Sequence, residues 1–247
     1  MFNQHITNII YNYSYLQIYL VVIAYFYFLY FGLAPVFLYV CKQLEKQDLL
    51  QKIIKQSIPK TQLLFEIKHS IQSIFIFGLS ALLLIYLKRQ GAILLLPNSF
   101  INIMVGIIIL TIWNEIHFFI VHRVMHLPFF MKRVHKIHHH SKVPTVFAVY
   151  SFHWFEALLL STVPLTIAVF IPLSAVAIFL YPLVSILLNF AGHCNYRFGN
   201  GKGPSWRLFG SKHNAHHFKF ANHYGFASGI MDKLHKLIIP KINQRKK

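Results

Sequence analysis

Residues 155–194 read FEALLLSTVPLTIAVFIPLSAVAIFLYPLVSILLNFAGHC, forty residues with one formal charge, Glu156. A bilayer crossing needs about 20 apolar residues, so this run is long enough to enter a membrane and return. Its core, Phe155 to Ala191, would extend about 55 Å as a continuous helix, too far for one crossing of a roughly 30 Å hydrocarbon layer. Pro164, Pro172 and Pro182 interrupt it. Pro172, near the middle, is the expected point of reversal, because proline cannot continue the helical hydrogen-bond ladder. The reading is a helical hairpin or re-entrant pair.

Working outward, three further apolar blocks lie at Tyr15–Val40, Ser70–Leu87 and Phe100–Val121, uncharged but for Glu115 in the last. The 247-residue chain is 56% hydrophobic and 12% charged, against about 25% charged in soluble domains, and its mean hydropathy is +0.52. These values exclude an ordinary soluble enzyme. They predict an all-α integral membrane protein, residues 1–247 as a single membrane domain, with four to five transmembrane helices and a histidine-rich helical cap. The first apolar run lacks a basic leader and a small-residue cleavage site, so it reads as a retained span. Cys41 and Cys194 are too few for a disulfide framework or a thiolate metal site.

The charge pattern gives the topology. The net charge is +18, which in a soluble protein would suggest nucleic acid. Counting crossings puts 41–69, 122–154 and 192–247 on one side, and these stretches hold 22 of the 24 Lys and Arg, leaving Lys88 and Arg89 opposite. That asymmetry is the one expected of cytoplasmic segments, so the histidine-rich segments are expected to face the cytoplasm and no nucleic-acid partner is expected. The glycines Gly199, Gly201 and Gly203 match no phosphate-binding loop and read as a flexible connection.

Most of the 16 histidines fall in short clusters. His122 and His126 form HxxxH; His135, His138 and His139 form HxxHH; Asn189 and His193 form NxxxH; His213, His216 and His217 repeat HxxHH. Residues three and four apart share a helix face, so each cluster aims its imidazoles together. Nine histidines exceed the four ligands of one tetrahedral zinc and suit two metal ions. Imidazole accommodates iron, zinc or copper. Such a pair, once reduced, can use dioxygen to oxidise an unactivated C–H bond.

These boxes, taken in order with Phe152-His153-Trp154-Phe155-Glu156 between them, resemble the fatty acid hydroxylase/sterol desaturase superfamily over about residues 110–235. The resemblance implies a histidine-coordinated dimetal centre, usually di-iron, with ligands at His122, His126, His135, His138, His139, His193, His213, His216 and His217. It also points to Glu115, His153 and Glu156 as candidates beside the ligands, since outer groups accept the second N–H of a metal-bound imidazole. Asn189 stands where some members have another histidine, leaving open a ligand, a water-mediated contact or a hydrogen bond. Asp232, a further candidate beside the ligands, lies in a closing pattern only partly kept, and the HPxE-like element lacks its proline. His140 is expected to face solvent, and His117, His223 and His235 to be structural or interfacial.

The expected function is an O2-dependent, membrane-bound lipid hydroxylase or desaturase acting on a sterol, fatty acyl chain or related lipid drawn from the bilayer. Two iron ions are the expected cofactors, though zinc can occupy the same imidazoles, with O2 as co-substrate. No haem, flavin or nicotinamide motif is evident, so an external donor is expected; the resemblance implies cytochrome b5, or a ferredoxin with its reductase. The expected membrane is the endoplasmic reticulum in a eukaryote or the inner membrane in a bacterium. The rival reading is a membrane metal-binding or transport protein without oxygenase activity, which would carry ligands along a path through its spans.

Overall fold

The computed structural model describes residues 2–198, 209–219 and 223–238; the glycine-rich connection at 199–203 lies outside them. After α1 (Phe2–Asn12), Ser14 starts the first long helix: its hydroxyl accepts the Gln17 N–H at 3.2 Å and its own N–H donates to the Gln17 side chain at 2.8 Å. This reciprocal cap satisfies two donors that a helix start would otherwise orphan. Helix α2 (Tyr15–Tyr27) then passes through a π-helical turn at Phe28–Gly32 into α3 (Leu33–Lys46). With α4 (Lys60–Arg89), α5 (Phe100–Met125) and α9 (Ala175–His193), this makes four helices among the described residues that are long and apolar enough to cross a membrane. The chain is an all-α integral membrane protein; among the described residues the strands are only two or three residues long and close no sheet.

The hairpin expected at 155–191 is asymmetric. Its first arm is α7 (Trp154–Ser161) followed, after Thr162, by α8 (Val163–Ala168), a segment of 15 residues from Trp154 to Ala168. At about 22 Å this arm is shorter than the roughly 30 Å hydrocarbon layer, whereas the returning helix α9 spans it. Pro172 lies in the reversal between α8 and α9, as expected. Pro164 occupies the first turn of α8, where a missing N–H costs nothing, and Pro182 is carried inside α9.

Two short strand pairings fix which ends lie together. β1 (Leu50–Lys52) runs antiparallel to β4 (Tyr196–Phe198), joining the segments after α3 and α9, while β2 (Leu95–Leu96) runs parallel to β3 (Leu173–Ser174), tying the α4–α5 loop to the hairpin tip. The first pairing belongs to the basic side of the sequence and the second to the opposite side. On that opposite side Arg89 donates to the carbonyls of Ile10, at 2.7 Å, and Tyr13, and lies 4.7 Å from the Tyr15 ring centre. The basic side carries the cap: α6 (Pro128–Phe130), α10 (Phe209–Lys219) and α11 (Ile230–Ile238).

Helix α4 begins ten residues before the expected Ser70. Pro59 precedes its first turn, and the polar residues Lys60, Gln62, Glu66 and Lys68 conceal that turn from a hydropathy reading. In the bundle interior Tyr30 donates to the Phe147 carbonyl at 2.7 Å, locking the π-helical turn to a 3-10 turn at Val146–Tyr150. Close approach of α2 to α4 depends on Gly78, where an added Cβ would stand 2.6 Å from Tyr19 Cε2. Gly78→Leu is therefore expected to cost about 1–3 kcal/mol through overpacking, read as a lowered midpoint of thermal unfolding in detergent.

Candidate metal centre

Helix α5 ends in a turn that presents His122 and His126. The chain then folds back through α6, a π-helical turn at Met131–His135 and a 3-10 turn at His138–His140. His193 closes α9, and α10 supplies His213, His216 and His217. The nine imidazoles separate into two groups: His122, His126, His135, His139 and His216 in one, and His138, His193, His213 and His217 in the other. Within each group, one nitrogen per residue lies within 4.8 Å of all the others. The two HxxHH boxes divide reciprocally. His135 and His139 go to the first group and His138 to the second, whereas His213 and His217 go to the second and His216 to the first.

The outer nitrogens are held by oxygen. Nδ1–H donates from His122 to the Tyr224 carbonyl at 3.0 Å, from His135 to Glu156 Oε1 at 2.7 Å, from His193 to the Asn189 carbonyl at 3.0 Å, and from His217 to the Ser141 carbonyl at 3.0 Å. Since each acceptor is a carbonyl or carboxylate oxygen, the proton belongs on Nδ1 and the lone pair on Nε2, directed inward. His122 Nε2 and His135 Nε2 are fully buried with no protein partner, an arrangement costly for a polar atom. His213 Nε2 lies 3.0 Å from His193 Nε2 and 3.1 Å from His217 Nε2, and one proton cannot satisfy both inward lone pairs. A cation can: donors bound at about 2.0–2.1 Å to one ion stand roughly this far apart. The residues fit two metal ions.

Burial and neighbouring imidazoles favour the neutral, ligating form. Desolvation, with charge repulsion from His135 and His216, lowers the His126 pKa to about 3. His138, His213 and His217 are pushed well below the ordinary histidine value, chiefly by burial and then by the histidines around them.

The other sequence-predicted residues are distributed less directly. Glu156 reaches the centre, through His135. Glu115 does not contact a histidine: its Oε1 accepts the Ala227 and Ser228 N–H at 2.8 and 2.9 Å. Asp232 likewise accepts the N–H groups of Tyr224 and Gly225, at 2.9 and 3.1 Å, so both acids secure the loop whose Tyr224 carbonyl holds His122. His153 is not brought to the centre; as the residue before α7 it turns Nδ1 onto the Phe155 N–H at 3.2 Å. Asn189 serves through its main chain, because its side-chain amide donates to the Val149 carbonyl at 3.3 Å. The second group thus has four histidines where the first has five. His140 is exposed and stacks on Phe65 with ring centres 4.0 Å apart. Glu156→Ala, which takes away the His135 acceptor, is expected to weaken metal binding by about 10–100-fold, measured by competition with a chelator.

Sequence reasoning missed Glu66, which is buried in α4. It accepts from Thr145 Oγ1 and, at 2.8 Å, from Gln62 Nε2, which also donates to the Val143 carbonyl at 2.9 Å. Glu66 therefore fixes the loop after the first HxxHH box, and with it the Ser141 carbonyl that holds His217. The helical spacing of Gln62 and Glu66 was the available signal, hidden because a hydropathy boundary put both outside a span.

Beneath the histidines an apolar cavity of about 430 Å³ opens inside the bundle. Phe152, which packs on His138 with ring centres 4.8 Å apart, and Phe118, 4.9 Å from His122, lie at its metal end; Ile6, Lys88 and Leu95 line the other. Along α9 its lining runs from Ala175 to Asn189, about 21 Å.

A membrane helix bundle with two convergent histidine groups over an apolar cavity defines a histidine-box membrane protein. The fatty acid hydroxylase family model matches residues 107–236, and the chain belongs to that family. It is 31% identical over 141 residues to a mouse protein named lathosterol oxidase, covering 56% of this chain and 46% of the relative. The human protein of that name is 30% identical over 184 residues, covering 71% and 60%. Human fatty acid hydroxylase domain-containing protein 2 is 29% identical over 129 residues, covering 51% and 36%. The chain thus spans between about a third and three-fifths of the length of these relatives. No solved structure matches it.

Proposed function

We propose that the chain is an O2-dependent lipid oxidoreductase that hydroxylates or desaturates a sterol, fatty acyl chain or related lipid at a di-iron centre. The observation that carries this reading is the junction of the two histidine groups with the apolar cavity. A metal store needs no such cavity, and a transport path needs ligands along the spans, whereas all nine histidines gather at one end. The lathosterol oxidase relatives favour a sterol among the possible lipids.

Two bound iron ions would supply the reduction of dioxygen and the removal of hydrogen from an unactivated C–H bond. The protein's own part is binding and exclusion. The cavity takes the lipid's apolar body out of the bilayer without exposing it to water, and its size suits a small-molecule ligand. Phe118 and Phe152 form the wall between lipid and imidazoles, so they set how close a given carbon comes to the centre. Glu156 and the carbonyls of Tyr224, Asn189 and Ser141 hold the protons of His135, His122, His193 and His217 on the outer nitrogen, which preserves their inward lone pairs.

Electrons come from an external carrier such as cytochrome b5 or a ferredoxin with its reductase. In this reading the histidine end faces the cytoplasm, in the endoplasmic reticulum or the bacterial inner membrane, and its basic surface attracts an acidic carrier. Comparison of sterols and fatty acids by mass spectrometry, in cells with and without the protein, tests the proposal. One lipid should gain a hydroxyl group or lose two hydrogens in a histidine-dependent manner. An unchanged lipid profile from metal-loaded protein supplied with donor would refute it, as would a haem Soret band in the purified protein.

A further inference from the structure

Helix α11 turns its apolar residues away from the protein. At 100° per residue, Ile230, Leu234, Leu237 and Ile238 share one arc, while Asp232, Lys233, His235 and Lys236 share the other. The polar arc meets the protein: Asp232 accepts the Tyr224 and Gly225 N–H groups, and the His235 ring packs on Phe119 of α5 with centres 5.6 Å apart. The apolar arc is bare, with Ile230, Leu234, Leu237 and Ile238 exposed by 61, 43, 76 and 77%. A helix lying against a protein in water buries such an arc; here it is presented outward.

The contact with α5 sets the level of α11. Phe119 lies six residues before the end of α5, about 9 Å along the axis, and its neighbours Ile120 and Val124 are exposed on the surface of that membrane-spanning helix. Leu127, Phe129 and Trp154 are exposed at the same end of the bundle, and Arg133 stands 4.3 Å from the Phe129 ring centre. Aromatic and basic residues in this combination mark a membrane–water interface.

We infer that α11 docks on the bilayer surface at the histidine end, with its apolar arc in the boundary between headgroups and acyl chains. The occupant is lipid because the bare arc continues the lipid-facing surface of α5, and because Lys233 at its edge carries charge that complements anionic headgroups. Docked in this way, α11 keeps Asp232 on the Tyr224 loop, so the membrane itself braces the carbonyl that holds His122. The inference requires an integral membrane protein and no particular reaction, so it stands or falls separately from the proposed oxidation.

The test uses the full chain in lipid nanodiscs, with a nitroxide attached to a single added cysteine in L234C, L237C or K236C. The parent protein, whose Cys41 and Cys194 are buried, serves as the labelling blank. Collision of the label with oxygen, which concentrates in hydrocarbon, is compared with collision with a water-soluble nickel chelate. The expected result is an oxygen-to-nickel ratio several-fold higher at 234 and 237 than at 236. Equal ratios at all three positions would put the helix in water and overturn the inference. Exclusion of both probes at 234 and 237 would also overturn it, since the arc would then be covered by protein, such as a second copy of the chain.

Discussion

Alanine at His138 is expected to halve the metal content of the purified protein, from two ions per chain to one, and to reduce lipid turnover to background. His138 is one of four donors in the second group, and its loss leaves three, with Ser151 and Phe152 no longer packed on a ligand at that corner. The first group draws nothing from His138, so its ion should remain. His216→Ala is a different case: four of five donors survive, so metal is expected to stay with lowered affinity while turnover still falls. Elemental analysis of purified variants, paired with product measurement, reads both outcomes. A His138→Ala protein with two metals and full turnover would remove His138 from the centre.

Tryptophan at Ala81 is expected to produce the complementary phenotype, in which the metal content is normal and turnover falls by about tenfold or more. Ala81 lines the cavity on α4 and belongs to neither histidine group. An indole projected into a space of about 430 Å³ competes directly with the lipid's apolar body, and each tenfold loss of affinity corresponds to only about 1.4 kcal/mol. Product formation across a series of lipids of increasing size should decline most steeply for the largest. If a bulky lipid reacted as fast as with the parent protein, the cavity would not be the substrate's route.

The membrane bundle was legible because hydropathy is additive along a span: residues 155–194 announce themselves whatever they pack against. The donors were legible because i, i+3 and i, i+4 spacing survives any tertiary arrangement. Their partition was not. Nothing in the local pattern of an HxxHH box says that its middle histidine will serve a different ion from its first and last, since that depends on α5, α9 and α10 arriving from three directions. For the same reason Asn189 read as a possible ligand, while its amide is taken by Val149, a residue forty positions away. His153 read as part of a motif, yet its nearest demand was the open N–H of its own helix. Glu66 was missed because its burial comes from Thr145 and Gln62 rather than from the apolar count around it. Spacing locates what a helix face offers; long-range contacts decide who accepts it.

The unequal sharing of the boxes also imposes an order in time. Four of the five donors in the first group lie before residue 140, whereas the second group has only His138 there and waits for α9 and α10. During synthesis the first group therefore acquires a nearly complete donor set while the hairpin is still to be made. The second cannot exist until residue 217 has left the ribosome. A chain made where metal is scarce is expected to accumulate in a half-loaded state with the first group filled.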